Sequence, residues 1–218
     1  MKMRCVYSID KSLRHVGHLD IMRTIQRALR RSELPVCYSE GFNPHILLSV
    51  AAPLSVNMAG EREIMDIPLS ESVLPETFLN KLNESLPLGI RAIEAHTKDD
   101  KAKTGMSQLL ACSVRYEFLE DAKALIAAIP AFLEQKSIPA IKKSKKGEKE
   151  YDLRPLIYNL SEEGNGIKAL LALSEAGTAK PDAVINALTS FAGLEETPYY
   201  IPVRTGLFAD KFVPLELA

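Results

Sequence analysis

The residues best equipped for chemistry crowd one stretch, Arg14 to Pro53, which reads RHVGHLDIMRTIQRALRRSELPVCYSEGFNPHILLSVAAP. It holds His15, His18 and His45, three of the four histidines, and the closely spaced arginines Arg23, Arg27, Arg30 and Arg31. The arginines recur at three- and four-residue steps, where helical side chains meet, and each like-charged pair costs an isolated helix a few tenths of a kcal/mol. A phosphate-bearing ligand would offset that cost. The plainer alternative is a solvated helix face relieved in part by Asp20 and Glu33.

Tyr38 to His45, YSEGFNPH, follows as a shaped loop. Gly41 tolerates positive φ, Asn43-Pro44 fixes a turn, and Phe42 is a large apolar group where a plain connector would be polar. Tyr38, Ser39, Asn43 and His45 offer hydroxyl, amide and imidazole groups suited to phosphate oxygens and base edges. Without a ligand, the same loop reads as a tight hairpin-like connection plugged by a buried Phe42.

Further along, IKKSKKGEKEYDLRP carries Lys142, Lys143, Lys145, Lys146 and Lys149 against Glu148 and Glu150. A lysine-rich hairpin tip grips phosphate without reading bases, although it also serves as a solubilising loop. Asp152 and Arg154 stand at strand spacing on one face, placed to pair or to present a fork to a ligand. His15, His18, Asp20 and His45 could assemble a metal site or a general acid/base. Their spacing is ordinary for metal and no thiolate joins them, so no metal is expected. His18 falls on the apolar arc of its helix, which favours a buried imidazole bonded to the backbone of the 38–45 loop.

The elements that must position these groups follow from periodicity. A helix over His18 to Ser32 places Ile21, Met22, Ile25, Ala28 and Leu29 on one arc and the arginines on the other. Met3 to Ile9, Ile46 to Ala52 and Glu63 to Leu69 read as strands, Pro75 to Ser85 as a helix with Pro at its start, and Gly89-Ile90 opens a strand toward His96. The order is β-α-β-β-α-β, the split βαβ of ferredoxin-like domains.

After a polar linker from His96 to Gly105 the order repeats. Strands are expected at Gln108–Leu119, Tyr151–Leu160, Ile167–Leu173 and Tyr199–Arg204, with helices at Asp121–Gln135, capped by Asp121, and Pro181–Phe191. The expectation is an α+β protein of tandem ferredoxin-like domains with antiparallel sheets, over residues 1–96 and 106–218.

A chain of 218 residues with 46% hydrophobic residues can build real cores. Its net charge of −1 confines anion binding to local patches. With no leader-like apolar region and no stretch near the roughly 18 apolar residues of a spanning helix, a cytoplasmic protein is expected. Cys5, Cys37 and Cys112 are too few and too scattered for an iron–sulfur cluster and suit reduced thiols. No Walker loop, GxGxxG or GxSxG motif occurs.

The run from Gly17 to Val56, continuing to Glu63 and Asp66, resembles the signature of the radical SAM-associated (radical SAM-linked) proteins of unknown function. Lys142 to Ile157 and the Arg204 region also fit. In that family Ser is common before the His-Leu-Asp triplet, where Gly17 stands here. The resemblance implies a stand-alone form of a domain found fused to, or encoded beside, cobalamin-binding-type radical SAM proteins. Any iron–sulfur cluster and S-adenosylmethionine would then belong to the partner, leaving this chain without a cofactor.

Together these readings predict an accessory protein, non-catalytic by itself, that binds RNA or presents a substrate to a radical SAM enzyme. Its expected contacts are Arg23, Arg27, Arg30, Arg31, Ser39, Asn43, His45, Lys143, Lys145, Lys146, Asp152, Arg154 and Arg204. An RNA-processing or other phosphodiester-acting enzyme using His18 or His45, and a pure docking module for the radical SAM protein, are the alternatives.

Overall fold

A computed structural model describes the backbone of residues 1–144 and 147–218, and all side chains within them except those of 142–144. The chain is α+β and divides into two units, residues 1–109 with 204–218, and residues 110–203. Among the described residues, no helix is long and apolar enough to cross a membrane.

The first unit runs β1 (Lys2–Ile9), α1 (His18–Arg31), β2 (Ser49–Val50), β3 (Ala59–Pro68), α2 (Pro75–Ser85), β4 (Ile90–Lys98) and the single-turn α3 (Gly105–Gln108). Its strands lie in the order β4-β1-β3 with β2 on β3, every pair antiparallel. Seven of the eight residues of β1 are buried, the pattern of a strand covered on both faces rather than one. On one face it meets Ile21, Ile25, Ala28 and Leu29 of α1 and Phe78 and Leu82 of α2 in a shared core. Each fully buried Ile, Leu or Phe contributes about 1.5–3 kcal/mol.

The expected strand over Ile46 to Ala52 contracts to two residues. Its backbone bonds divide: Ile46 bridges back to Tyr38 and Leu47 N–H donates to Cys37 O at 2.9 Å, whereas Ser49 and Val50 pair with Asp66 and Met65 of β3. A segment that serves two partners cannot extend one ladder. The expected polar linker is likewise shorter at its start, because β4 continues to Lys98 in register with Lys2.

The second unit runs β5 (Ala111–Phe118), α4 (Lys123–Leu133), β6 (Pro139–Ser144), β7 (Gly147–Asp152), β8 (Ile157–Glu163), β9 (Gly166–Ala172), α5 (Pro181–Phe191) and β10 (Tyr200–Phe208), of which residues 204–208 belong to the first unit. Its strand order is β10-β5-β9-β8, and β6-β7 form a separate two-stranded sheet. The expected strand over Tyr151 to Leu160 is broken in the middle by a 3-10 turn at Arg154–Leu156. Pro155 has no N–H to give a ladder, and Asp152 Oδ1 accepts from Arg154 N–H at 2.9 Å and Ile138 N–H at 2.8 Å, which turns the chain. Asp121 does precede α4, accepting from Lys123 N–H at 3.0 Å, so the helix opens two residues later than expected.

Candidate functional site

The α1 helix starts at Gly17 with no side-chain cap and exposes Asp20, Arg23, Arg27, Arg30 and Arg31 opposite its buried stripe. Two arginines have local duties. Arg23 Nη1 donates to Asp20 Oδ1 at 3.0 Å, and Arg31 Nη2 donates to Ser85 O at 2.6 Å, on the last residue of α2. Arg27 and Arg30 have no hydrogen-bond or ion-pair partner among the described residues. Arg30 and Arg31 sit in the last turn, where the helix dipole favours cations, so the dipole relieves part of the crowding and leaves Arg27 the least compensated charge.

The 38–45 loop is a small ladder with a free crown. Ser39 N–H donates to His45 O at 2.8 Å, and Ser39 Oγ bonds His45 Nδ1 at 2.8 Å while accepting from His45 N–H at 3.1 Å. Gly41 has φ +112°, a conformation that favours glycine. Phe42 at the crown is fully exposed instead of plugging the loop, and Asn43, Pro44 and His45 are exposed with it. The Ser39–His45 pair is therefore first a fastener of the loop, and the aromatic ring is what the loop displays.

A third group of residues lies in the interior of the same unit. Tyr7 of β1 stands opposite Glu63 of β3 in register. Arg204, 4% exposed, donates from Nε to Glu63 Oε1 at 2.8 Å and from Nη2 to Glu63 Oε2, and its remaining donors reach Ala52 O at 2.9 Å and Pro53 O at 3.3 Å. Glu63 folds over Gly60, where any Cβ would come within 2.7 Å of its Cγ. Tyr7 and His18 line one cavity of about 10 Å³ together with Ser55, Met58 and Leu54, room for about one water.

Tyr7 is 3% exposed, and neither its hydroxyl nor the His18 imidazole has a hydrogen-bond partner among the described residues. Burial, followed by the nearby Arg204 guanidinium, holds the His18 pKa below its usual value against an opposing pull from Glu63. Burial, with Glu63 next, pushes the Tyr7 hydroxyl up. The cavity thus offers a neutral imidazole and a neutral phenol. The expected bonding of His18 to the 38–45 loop is not made; the cavity takes its place.

Other expected contacts have structural partners. Arg154 donates from Nε to Leu133 O at 3.0 Å and from Nη1 to Ile157 O at 3.0 Å, and Asp152 is occupied by two backbone N–H groups, so the two side chains do not form a fork. Lys145 and Lys146 lie outside the described residues, and Lys143 is placed only by its backbone, opposite Glu148. A second buried pair, Arg4 with Asp66 at 2.8 Å, also donates to Leu215 O and Ala218 O and ties residues 215–218 to β1. His15 bonds Asn57 Oδ1 at 2.9 Å. Among the described residues no three His, Cys, Asp or Glu side chains are grouped to hold a metal ion. Cys5, Cys37 and Cys112 form no disulfide among the described residues.

Sequence reasoning missed Tyr7 because its place in an apolar strand reads as core. The available signal was its position in a strand that pairs with the one carrying Glu63. No curated protein matches the chain. A family model described as an uncharacterized protein conserved in bacteria (DUF2344) matches residues 2–181, and the chain belongs to that family.

Proposed function

We propose that this protein is a non-catalytic, RNA-binding and substrate-presenting partner of a radical SAM enzyme in the cytoplasm, with the iron–sulfur cluster and S-adenosylmethionine residing in that enzyme. The observation that carries the reading is the outer face of α1, where Arg27 and Arg30 are exposed with no anionic partner among the described residues. Guanidinium groups left in water at helical spacing suit a polyanion, which pairs with several at once. The exposed Phe42 ring adds a surface on which an unpaired base can stack. The strand orders β4-β1-β3-β2 and β10-β5-β9-β8 support reading the two units as ferredoxin-like split βαβ domains. The test is a titration of single-stranded RNA at several salt concentrations, together with sequencing of any RNA that copurifies. Log K must fall steeply with log salt, and a flat dependence overturns the reading.

The Tyr7–His18 cavity favours a second reading, a phosphodiester-acting enzyme in which His18 moves a proton. A neutral, unpartnered imidazole is the right form for a general base. RNA turnover by the isolated chain, abolished by His18→Gln with melting unchanged, would establish it; absence of turnover by wild type removes it.

A further inference from the structure

In the second unit the β6–β7 hairpin and α5 border a groove of about 740 Å³ lined by Ile141, Lys149, Tyr151, Leu156, Lys180 and Ala183, among others. A second hollow of about 490 Å³ shares Ile141 and Ala183 with it and extends along α5 past Ala187 to Phe191. Ala183, Ala187 and Ser190 fall on one face of α5 at helical spacing, so the floor is low. Ile141 and Phe191 stand beside it at 60% and 40% exposure. A continuous apolar hollow with large side chains left in water is the form of a protein-docking surface.

The lining of this groove carries two lysines and one carboxylate. Lys149 and Lys180 have no ion-pair partner among the described residues, and the carboxylate that lines the groove, Asp152, is occupied by the backbone N–H groups of Ile138 and Arg154. The hairpin is a two-stranded sheet of its own among the described residues.

We propose that this groove docks an acidic, apolar peptide segment of a protein partner, whose large apolar side chains fill the hollow over Ala183 and Ala187 while its Asp and Glu residues meet Lys149 and Lys180. A phosphodiester chain fits less well, because the floor of alanine, leucine and isoleucine gives phosphate oxygens no donors. The groove belongs to the second unit and the α1 arginines to the first, and its occupant does not depend on them.

The test uses the full chain and a fluorescein-labelled peptide alternating Leu and Phe with Glu and Asp, a matched peptide with Lys for every acidic residue, and oligouridine. The acidic peptide is expected to bind, and the lysine peptide not to. Ala183→Arg, and separately the pair Lys149→Glu with Lys180→Glu, should each weaken acidic-peptide binding by about tenfold or more. Arg27→Ala should leave that binding unchanged, which separates this site from the RNA reading. Ile141→Glu substitutes for Ala183→Arg if melting shows that variant misfolded. Failure of the acidic peptide to bind, equal binding by all variants, competition by oligouridine, or a dimer in sedimentation that Ala183→Arg dissolves would each overturn the proposal.

Discussion

Replacing Arg204 by Met removes a guanidinium that is 4% exposed and keeps most of its apolar stem, so the loss is chiefly electrostatic. Glu63, 1% exposed, is left as a buried carboxylate without its cation. The Ala52 carbonyl, 2.9 Å from Nη2, loses a charged donor as well. Breaking one side of a buried pair costs about 3–5 kcal/mol, mostly from the charge left behind. For a chain of this length about 2–4 °C accompany each kcal/mol, so the transition of the first unit should fall by roughly 6–20 °C. The double variant Arg204→Met with Glu63→Met removes the orphaned charge and should recover a large part of the loss. Calorimetric melts of the three proteins check this. A single-variant loss below about 1 kcal/mol, or a double variant no better than the single, would refute the assignment of Arg204 to a buried pair.

Three further outcomes follow from the same geometry. Gly60→Ala places a Cβ 2.7 Å from Glu63 Cγ and should displace that side chain, lowering stability by about 1–3 kcal/mol in denaturant titrations. Because burial depresses the His18 pKa, the folded state resists protonation there: stability is complete above the ordinary histidine value of 6.5 and declines as pH falls through it toward the folded-state pKa. His18→Gln should flatten that decline, and parallel pH–stability curves for the two proteins would count against it. Phe42→Ser should leave melting unchanged and weaken single-stranded RNA binding by about 1–3 kcal/mol, read by fluorescence anisotropy.

The elements most legible in the sequence are those with local punctuation. Pro at the first helical position fixes the starts of α2 and α5, and both run over the expected residues. The apolar stripe of α1 likewise gives its buried face, its end differing by one residue because Ser32 is the C-cap and Glu33 turns the chain at φ +54°. What stays hidden is long-range partnership. Arg204 reads as one more cation, and nothing near it in the chain shows that its carboxylate lies 141 residues away. Asp152 and Arg154 suggest a fork by spacing, but backbone groups of Ile138, Leu133 and Ile157 claim them first. Phe42 reads as a plug because large apolar residues are usually buried, and only the ladder beneath it, closed by Ser39 and His45, shows the ring carried outward.

The central claim, that the outer face of α1 holds RNA, is tested most directly by the variant Arg27→Ala with Arg30→Ala, titrated with single-stranded RNA across a salt series. Both residues are exposed and unpartnered among the described residues, so melting should stay within about 0.5 kcal/mol of wild type or rise slightly as like-charge repulsion is relieved. Each lost phosphate contact should reduce the slope of log K against log salt by about 0.7, giving about 1.4 for the pair, with weaker binding at every salt concentration. An unchanged slope and affinity, or a stability loss of about 3–5 kcal/mol that marks these arginines as buried-pair anchors, would contradict the account.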